Sequence, residues 1–206
     1  MRVLSFFLAF LSKSCYNKRK YPRRLIKSVF TQAKEKAEEL GFVNIVPLKK
    51  EALVFREEVR AMCRADRCRN YNKTWSCPPA CGTLDELRQH IEPFTDGILV
   101  ETVGVMEDEF DYEAIEDAGK RHKENFHALA DHLRALRINI FPMGAGRCTL
   151  CKDCTYPDAP CRFPDKMTPS MEAAGLLVSD VCKLCGTPYY NGKNTTTFIS
   201  CILWNE

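Results

Sequence analysis

Apolar residues recur at helical spacing over residues 23–40, where Leu25, Ile26, Val29, Ala33, Ala37 and Leu40 share one face and Gly41 ends the run. This predicts an amphipathic helix. FVNIVPL then turns extended and is stopped by Pro47, and ALVF predicts a second extended piece leading to Arg56. A helix is expected over 57–65. Thr83 is placed to cap another that runs to about Pro93, with Asp85 and Glu86 in its first turn, where the helix dipole favours negative charge. GILVETVGVM (97–106) predicts a strongly apolar strand, and Asp111 opens a long helix to about Arg137 with the stripe Ile115, Ala118, His122, Phe126, Leu129, Leu133 and Leu136. His122 lies on that stripe, and a histidine on an apolar face is more often a hydrogen-bonded core residue than a ligand or proton carrier. INIFPMGAG (138–146) reads as the next strand. Thr168 and Pro169 predict the start of a short helix over SMEAAG, ended by Gly175, and another follows over 179–184. Asn191-Gly192 is a hairpin turn signal, and TTTFISCILW reads as a closing strand rich in β-branched and aromatic residues.

Helices alternating with apolar strands imply an α/β (or α+β) fold: a small mixed sheet of three to four strands, with packed helices and two cysteine-rich loops projecting from its ends. If the long helix joins 97–106 to 138–144 as a right-handed crossover, those strands run parallel. Their carboxyl ends then point the same way, and Cys148 follows one of them at the edge where open α/β sheets place ligands.

The chain of 206 residues holds 12 cysteines, more than a cytosolic protein keeps idle, and it is too large and too rich in apolar residues to need disulfides as its staple. GAGRCTLCKDCTYPDAPCRFP (144–164) places Cys148, Cys151 and Cys154 two residues apart and adds Cys161. A short loop can bring three such thiolates round one face of an inorganic cluster while a further cysteine supplies the fourth bond. Zinc, the competing metal, more often uses two separate Cys-x-x-Cys knuckles. The last spacing departs from the bacterial ferredoxin run, so Cys161 can belong to either of two sites. The other group is Cys63, Cys68, Cys77 and Cys81, with Pro78 and Pro79 stiffening the loop between its last two thiols. Trp75 and Tyr71 lie between these thiols and read as packing residues rather than an electron relay. Cys182 and Cys185 form a Cys-x-x-Cys that suits a redox pair or extra ligands, while Cys15 and Cys201 stand alone. These groups define a single metal-binding domain over 27–206, after a basic and apolar N-terminal extension over 1–26.

Residues 1–34 hold nine Lys or Arg and no acidic residue, which leaves 21 basic against 27 acidic side chains in the rest. The body is mildly acidic, so nucleic acid is not its expected partner. VLSFFLAFL (3–11) is too short to span a bilayer, which needs about 20 residues. With the basic residues that follow, 1–27 suits weak contact with a membrane surface, and equally a non-native upstream extension. No phosphate loop, nucleophile elbow or zinc-protease helix motif occurs.

From about Lys27 to Trp204, through MCRADRCRNYNKTWSCPPACG, DYEAIEDAGKRH, GAGRCTLCKDCTYPDAPCRFPDK, PSMEAAG and YYNGKNTTTF, the sequence resembles an uncharacterised family of cysteine-rich predicted metal-binding proteins of anaerobic bacteria and archaea. The resemblance implies metal binding through the two cysteine groups as iron-sulfur, in a cytoplasm with little oxygen, and implies no reaction. Cys182, Cys185 and the first 26 residues fall outside the pattern. The leading expectation is therefore a cytoplasmic protein binding one or two 4Fe-4S clusters in electron transfer or redox assistance to a partner. The alternatives are a cluster-dependent enzyme with an open iron for a small-molecule substrate, with His122 or Glu172 nearby for proton transfer, and a structural zinc protein.

Overall fold

The computed structural model describes residues 27–205, so the membrane-surface contact expected of 1–27 lies outside the described residues apart from Lys27 itself. The first helix, α1 (Val29–Glu39), is capped by Ser28, whose hydroxyl accepts from the Thr31 N–H, and it buries Ala33 and Ala37. β1 (Asn44–Pro47), a 3-10 turn (Lys50–Ala52), α2 (Glu57–Arg64), α3 (Leu84–Ile91), β2 (Asp96–Val105) and α4 (Tyr112–Ala135) follow. The chain ends with β3 (Ile140–Met143), α5 (Val178–Cys185) and β4 (Thr195–Trp204).

The strands make one sheet in the order β1-β2-β4-β3, and each neighbouring pair is antiparallel. β2 and β3 do run in the same direction, as the α4 crossover requires, but β4 lies between them and hydrogen-bonds both. This is a split β-α-β arrangement. The mixed α/β fold is therefore as expected, while the parallel strands are not neighbours. Alternation along the strands sorts residues to two covered faces. Ile98, Val100, Ile202 and Trp204 pack with Ala33, Phe126 and Leu133 of α1 and α4. Leu99, Ile199, Leu203 and Met143 pack on the other face with Leu87 and Ile91 of α3 and Val181 of α5. No helix among the described residues is long and apolar enough to cross a membrane.

Three local expectations are corrected. SMEAAG is a run of turns rather than a helix, because its backbone is engaged by neighbouring segments: Met171 donates to Gly144 O, and Gly175 O accepts from the Arg56 N–H. ALVF becomes the 3-10 turn followed by a single bridge from Phe55 to Leu176. At Asn191-Gly192 the chain turns, with Gly192 at φ +104, but it arrives from α5 and not from a strand, so no hairpin forms.

Candidate metal centre

The second cysteine group hangs from the end of β3. Gly144 N–H donates to Pro169 O and Gly144 O accepts from Met171 N–H, which clamps the chain before the first thiol. Beyond it, TYPDAP folds as a compact turn: Ala159 N–H and the Thr155 hydroxyl donate to Thr155 O and Pro160 O, and Arg162 donates to Asp153 O. That turn carries Cys161 back, so that Cys148, Cys151, Cys154 and Cys161 all line one cleft. The cleft's volume is about 20 Å³, its open mouth excluded. Cys161, whose site the spacing left open, is thus brought to this group.

The cleft is roofed by the other cysteine loop, through Thr74, Trp75 and Ser76. Ser76 Oγ accepts from the Cys148 N–H at 2.9 Å. Trp75 Nε1 donates to Ala159 O at 3.1 Å, its ring meets Tyr156 edge-on at 5.0 Å, and the Tyr156 hydroxyl pairs with Asn72 Oδ1 at 2.5 Å. Trp75 is therefore a packing residue, as expected, but what it packs together is the two loops. Burial pushes the Cys148 thiol up, opposed by the backbone N–H groups of Leu150 and Thr168, which favour the thiolate.

The first group begins on α2, which carries Cys63. Asp66, Arg69 and Asn72 then take left-handed backbone, at φ 49, 58 and 54. Such conformations cost on the order of 1 kcal/mol each at non-glycine residues and persist where surrounding bonds enforce them. Here Tyr71 N–H donates to Asp66 Oδ1, Asn70 Nδ2 to Cys68 O, and Asn72 N–H to Pro78 O. The loop brings Cys68 round to line one cavity with Cys63 and Cys77. Cys81 faces a different cleft, and its sulfur accepts from Arg60 Nη1 at 3.5 Å. The expected set of four is thus three thiols on one cavity and one turned aside.

Arg60, which the sequence reading missed, is 7% exposed and also donates to Gly82 O at 2.6 Å and to Ala173 O. No ion pair among the described residues includes it. A buried guanidinium surrounded by carbonyls and sulfur favours negative charge on the sulfur. Burial, and then Glu172, push the Cys63 thiol up to about 11, and burial also raises Cys81; Arg60 opposes both shifts. The sequence signal was available: Arg60 and Cys63 lie one helical turn apart.

The remaining cysteines are elsewhere. Cys182, Cys185 and Cys201 are buried in the core between the sheet and α5 and line neither thiol cavity. Burial, and then the nearby carboxylate of Glu101, push the Cys182 thiol up to about 12. His122 is fully buried between Thr102 Oγ1, at 2.9 Å from Nδ1, and Ser200 Oγ, at 2.7 Å from Nε2, and lines neither thiol cavity. Glu172 does line the first-group cavity, and its backbone carbonyl accepts from the Cys63 thiol at 3.9 Å.

Among the described residues, no three His, Cys, Asp or Glu side chains gather as a single metal ion requires. Every expected donor in the two groups is a thiol, the soft ligand that selects zinc, copper(I) or iron-sulfur over hard cations. No curated protein and no solved structure matches the chain. Residues 46–204, which take in α2 through β4 and both thiol groups, match the family described as "Predicted metal-binding protein (DUF2284)", and the chain belongs to that family.

Proposed function

We propose that this metal-binding protein holds a 4Fe-4S cluster on Cys148, Cys151, Cys154 and Cys161 and passes electrons to or from a redox partner. The observation that carries this reading is that these four thiols ring one cleft under an aromatic roof. A single zinc draws four sulfurs to about 2.3 Å from one point, whereas a cubane spreads its thiolates around a larger inorganic body. Three cysteines two residues apart with a fourth returned by the same loop suit the cluster, whereas zinc more often takes two separate Cys-x-x-Cys knuckles. When bound, the cluster supplies one-electron redox chemistry whose potential follows burial and hydrogen bonding at sulfur. The chain's own part is electrostatic and steric. Leu150 and Thr168 N–H groups favour the Cys148 thiolate, while Trp75, Phe163 and Met167 line the cleft and limit water. The bond from Cys148 to Ser76, the residue before Cys77, links the two thiol groups by a short path suited to electron passage if both are loaded.

The test is anoxic purification with iron and acid-labile sulfide assays. The expected result is iron and sulfide in equal amounts, with the visible absorbance of this cluster lost in Cys148→Ser, Cys151→Ser, Cys154→Ser and Cys161→Ser singly. Zinc without sulfide, or iron and sulfide per chain that do not fall when all four are changed together, overturns the assignment.

A second reading attaches to the first group, because Cys63, Cys68 and Cys77 line a cavity while Cys81 is held by Arg60. A cluster bound there by three protein thiols would keep an iron open to a ligand, as an enzyme needs. A change in the reduced protein's EPR spectrum on adding a ligand supports this reading; an unchanged spectrum across candidate substrates leaves electron transfer.

A further inference from the structure

The cavity beside the first thiol group is built for more than metal. Its volume of about 410 Å³ is within the range of small-molecule sites. Its floor is apolar: Val59, Ala173, Leu176 and Val178 are buried there. Its rim carries Met62 and Tyr189, large apolar side chains 65% and 55% exposed. A buried floor continuous with exposed apolar rim residues is the form of a ligand pocket rather than of a packing defect.

The polar groups around it point to charge of one sign. Arg67 follows α2 in the strained loop, and Arg147 lies between Gly146 and Cys148 on the other cysteine loop; both line the cavity. Neither guanidinium has an ion-pair or hydrogen-bond partner among the described residues, although Arg56, Arg134 and Arg162 each do. Glu172 is the carboxylate on the lining against these two arginines, of which Arg147 also borders the groove along α4 beside Lys123, and the buried Arg60 adds a further positive charge behind Ala173. A guanidinium's planar donors match carboxylate and phosphate oxygens two at a time.

We propose that this cavity binds an organic anion, with an apolar body against Val59, Leu176 and Val178 and a carboxylate or phosphate head between Arg67 and Arg147. The site places that ligand beside Cys63, Cys68 and Cys77. It would give the open-iron reading of this group its substrate class, but the binding site stands without any metal.

The experiment is anoxic equilibrium dialysis of the full chain against octanoate, octyl phosphate, octanol and inorganic phosphate, with iron content measured on the same samples. Octanoate or octyl phosphate is expected to saturate one site per chain in the millimolar range or tighter, and whichever binds more tightly identifies the head group. Octanol and inorganic phosphate, lacking the head and the tail, should bind about tenfold more weakly or worse, as loss of a charge-assisted contact or of the buried chain implies. Arg67→Gln and Arg147→Gln should each weaken the organic anion by about tenfold, and Ser179→Trp, at the cavity wall, should block it. Octanol binding as tightly as octanoate, affinity unchanged in both arginine variants, or no saturable anion binding overturns the proposal. An iron-free protein that still shows the arginine-dependent binding defeats the cluster reading and leaves this one intact.

Discussion

At the scale of single residues, burial decides which groups carry charge. His122 stands between Thr102 and Ser200 with the rings of Phe42, Phe126 and Phe198 around it, and desolvation, reinforced by the neighbouring Lys123 charge, pushes its pKa down to about 3 from 6.5. Between those values the unfolded chain binds a proton that the folded chain refuses. The contribution is complete above 6.5 and is lost as pH falls toward about 3, at up to about 1.4 kcal/mol per pH unit. Urea unfolding at about pH 7 and about pH 4 should show this loss, and His122→Gln should flatten its share of the slope. Arg60 is the opposite case, a charge kept in the interior by its bonds to Gly82, Ala173 and Cys81. Arg60→Met strands two carbonyls and is expected to cost about 2–4 kcal/mol in urea unfolding. His122 could be read from its place on an apolar stripe. The buried state of Arg60 could not, because an arginine in a short amphipathic helix, like its exposed neighbour Arg64, looks solvated until Gly82 and Ala173 arrive over it.

At the scale of elements, caps and close approaches set the geometry that presents the thiols. Thr83 and Glu86 form a reciprocal capping box directly after Cys81, so the end of the first cysteine loop is also the start of α3. Thr83→Ala should destabilise the fold by about 1 kcal/mol in thermal or urea unfolding. α4 lies close on β2 because Gly104 has no side chain: a Cβ there would meet the Ala118 Cβ at 2.6 Å and Thr196 Cγ2 at 2.8 Å. Gly104→Val is therefore expected to lower stability by about 1–3 kcal/mol or more, read as a fall in melting temperature. The cap at Thr83, the bounds of β4 and the length of α4 followed from local chemistry in the sequence. The turn at SMEAAG did not, since its helical composition lost to the hydrogen bonds of Met171 N–H to Gly144 O and of Arg56 N–H to Gly175 O, with residues distant along the chain.

At the scale of the whole molecule, the two cysteine loops behave as one unit on one side of the sheet. Three direct links join them: Ser76 to Cys148, Trp75 to Ala159 and Tyr156 to Asn72. Loss of the proposed cluster from the second group should therefore loosen both loops while the sheet persists. Limited proteolysis after chelation is expected to open cuts in 66–79 and 148–163 together, with the far-ultraviolet circular dichroism of the sheet and α4 largely kept. Cuts confined to one loop would show that the links do not couple them.

What the sequence determined alone was local: the amphipathic periods, the helix caps, the strand compositions and the grouping of thiols at spacings that suit a soft metal. Each of these depends on residues within a few positions of one another, so the chain's order contains it. Tertiary structure decided the rest. It inserted β4 between β2 and β3, returned Cys161 to the Cys148 cleft, turned Cys81 toward Arg60 and buried Cys182 and Cys185 in the core. Those outcomes depend on which distant surfaces exclude water together and which buried donors find acceptors, and neither is written in the spacing of residues along the chain.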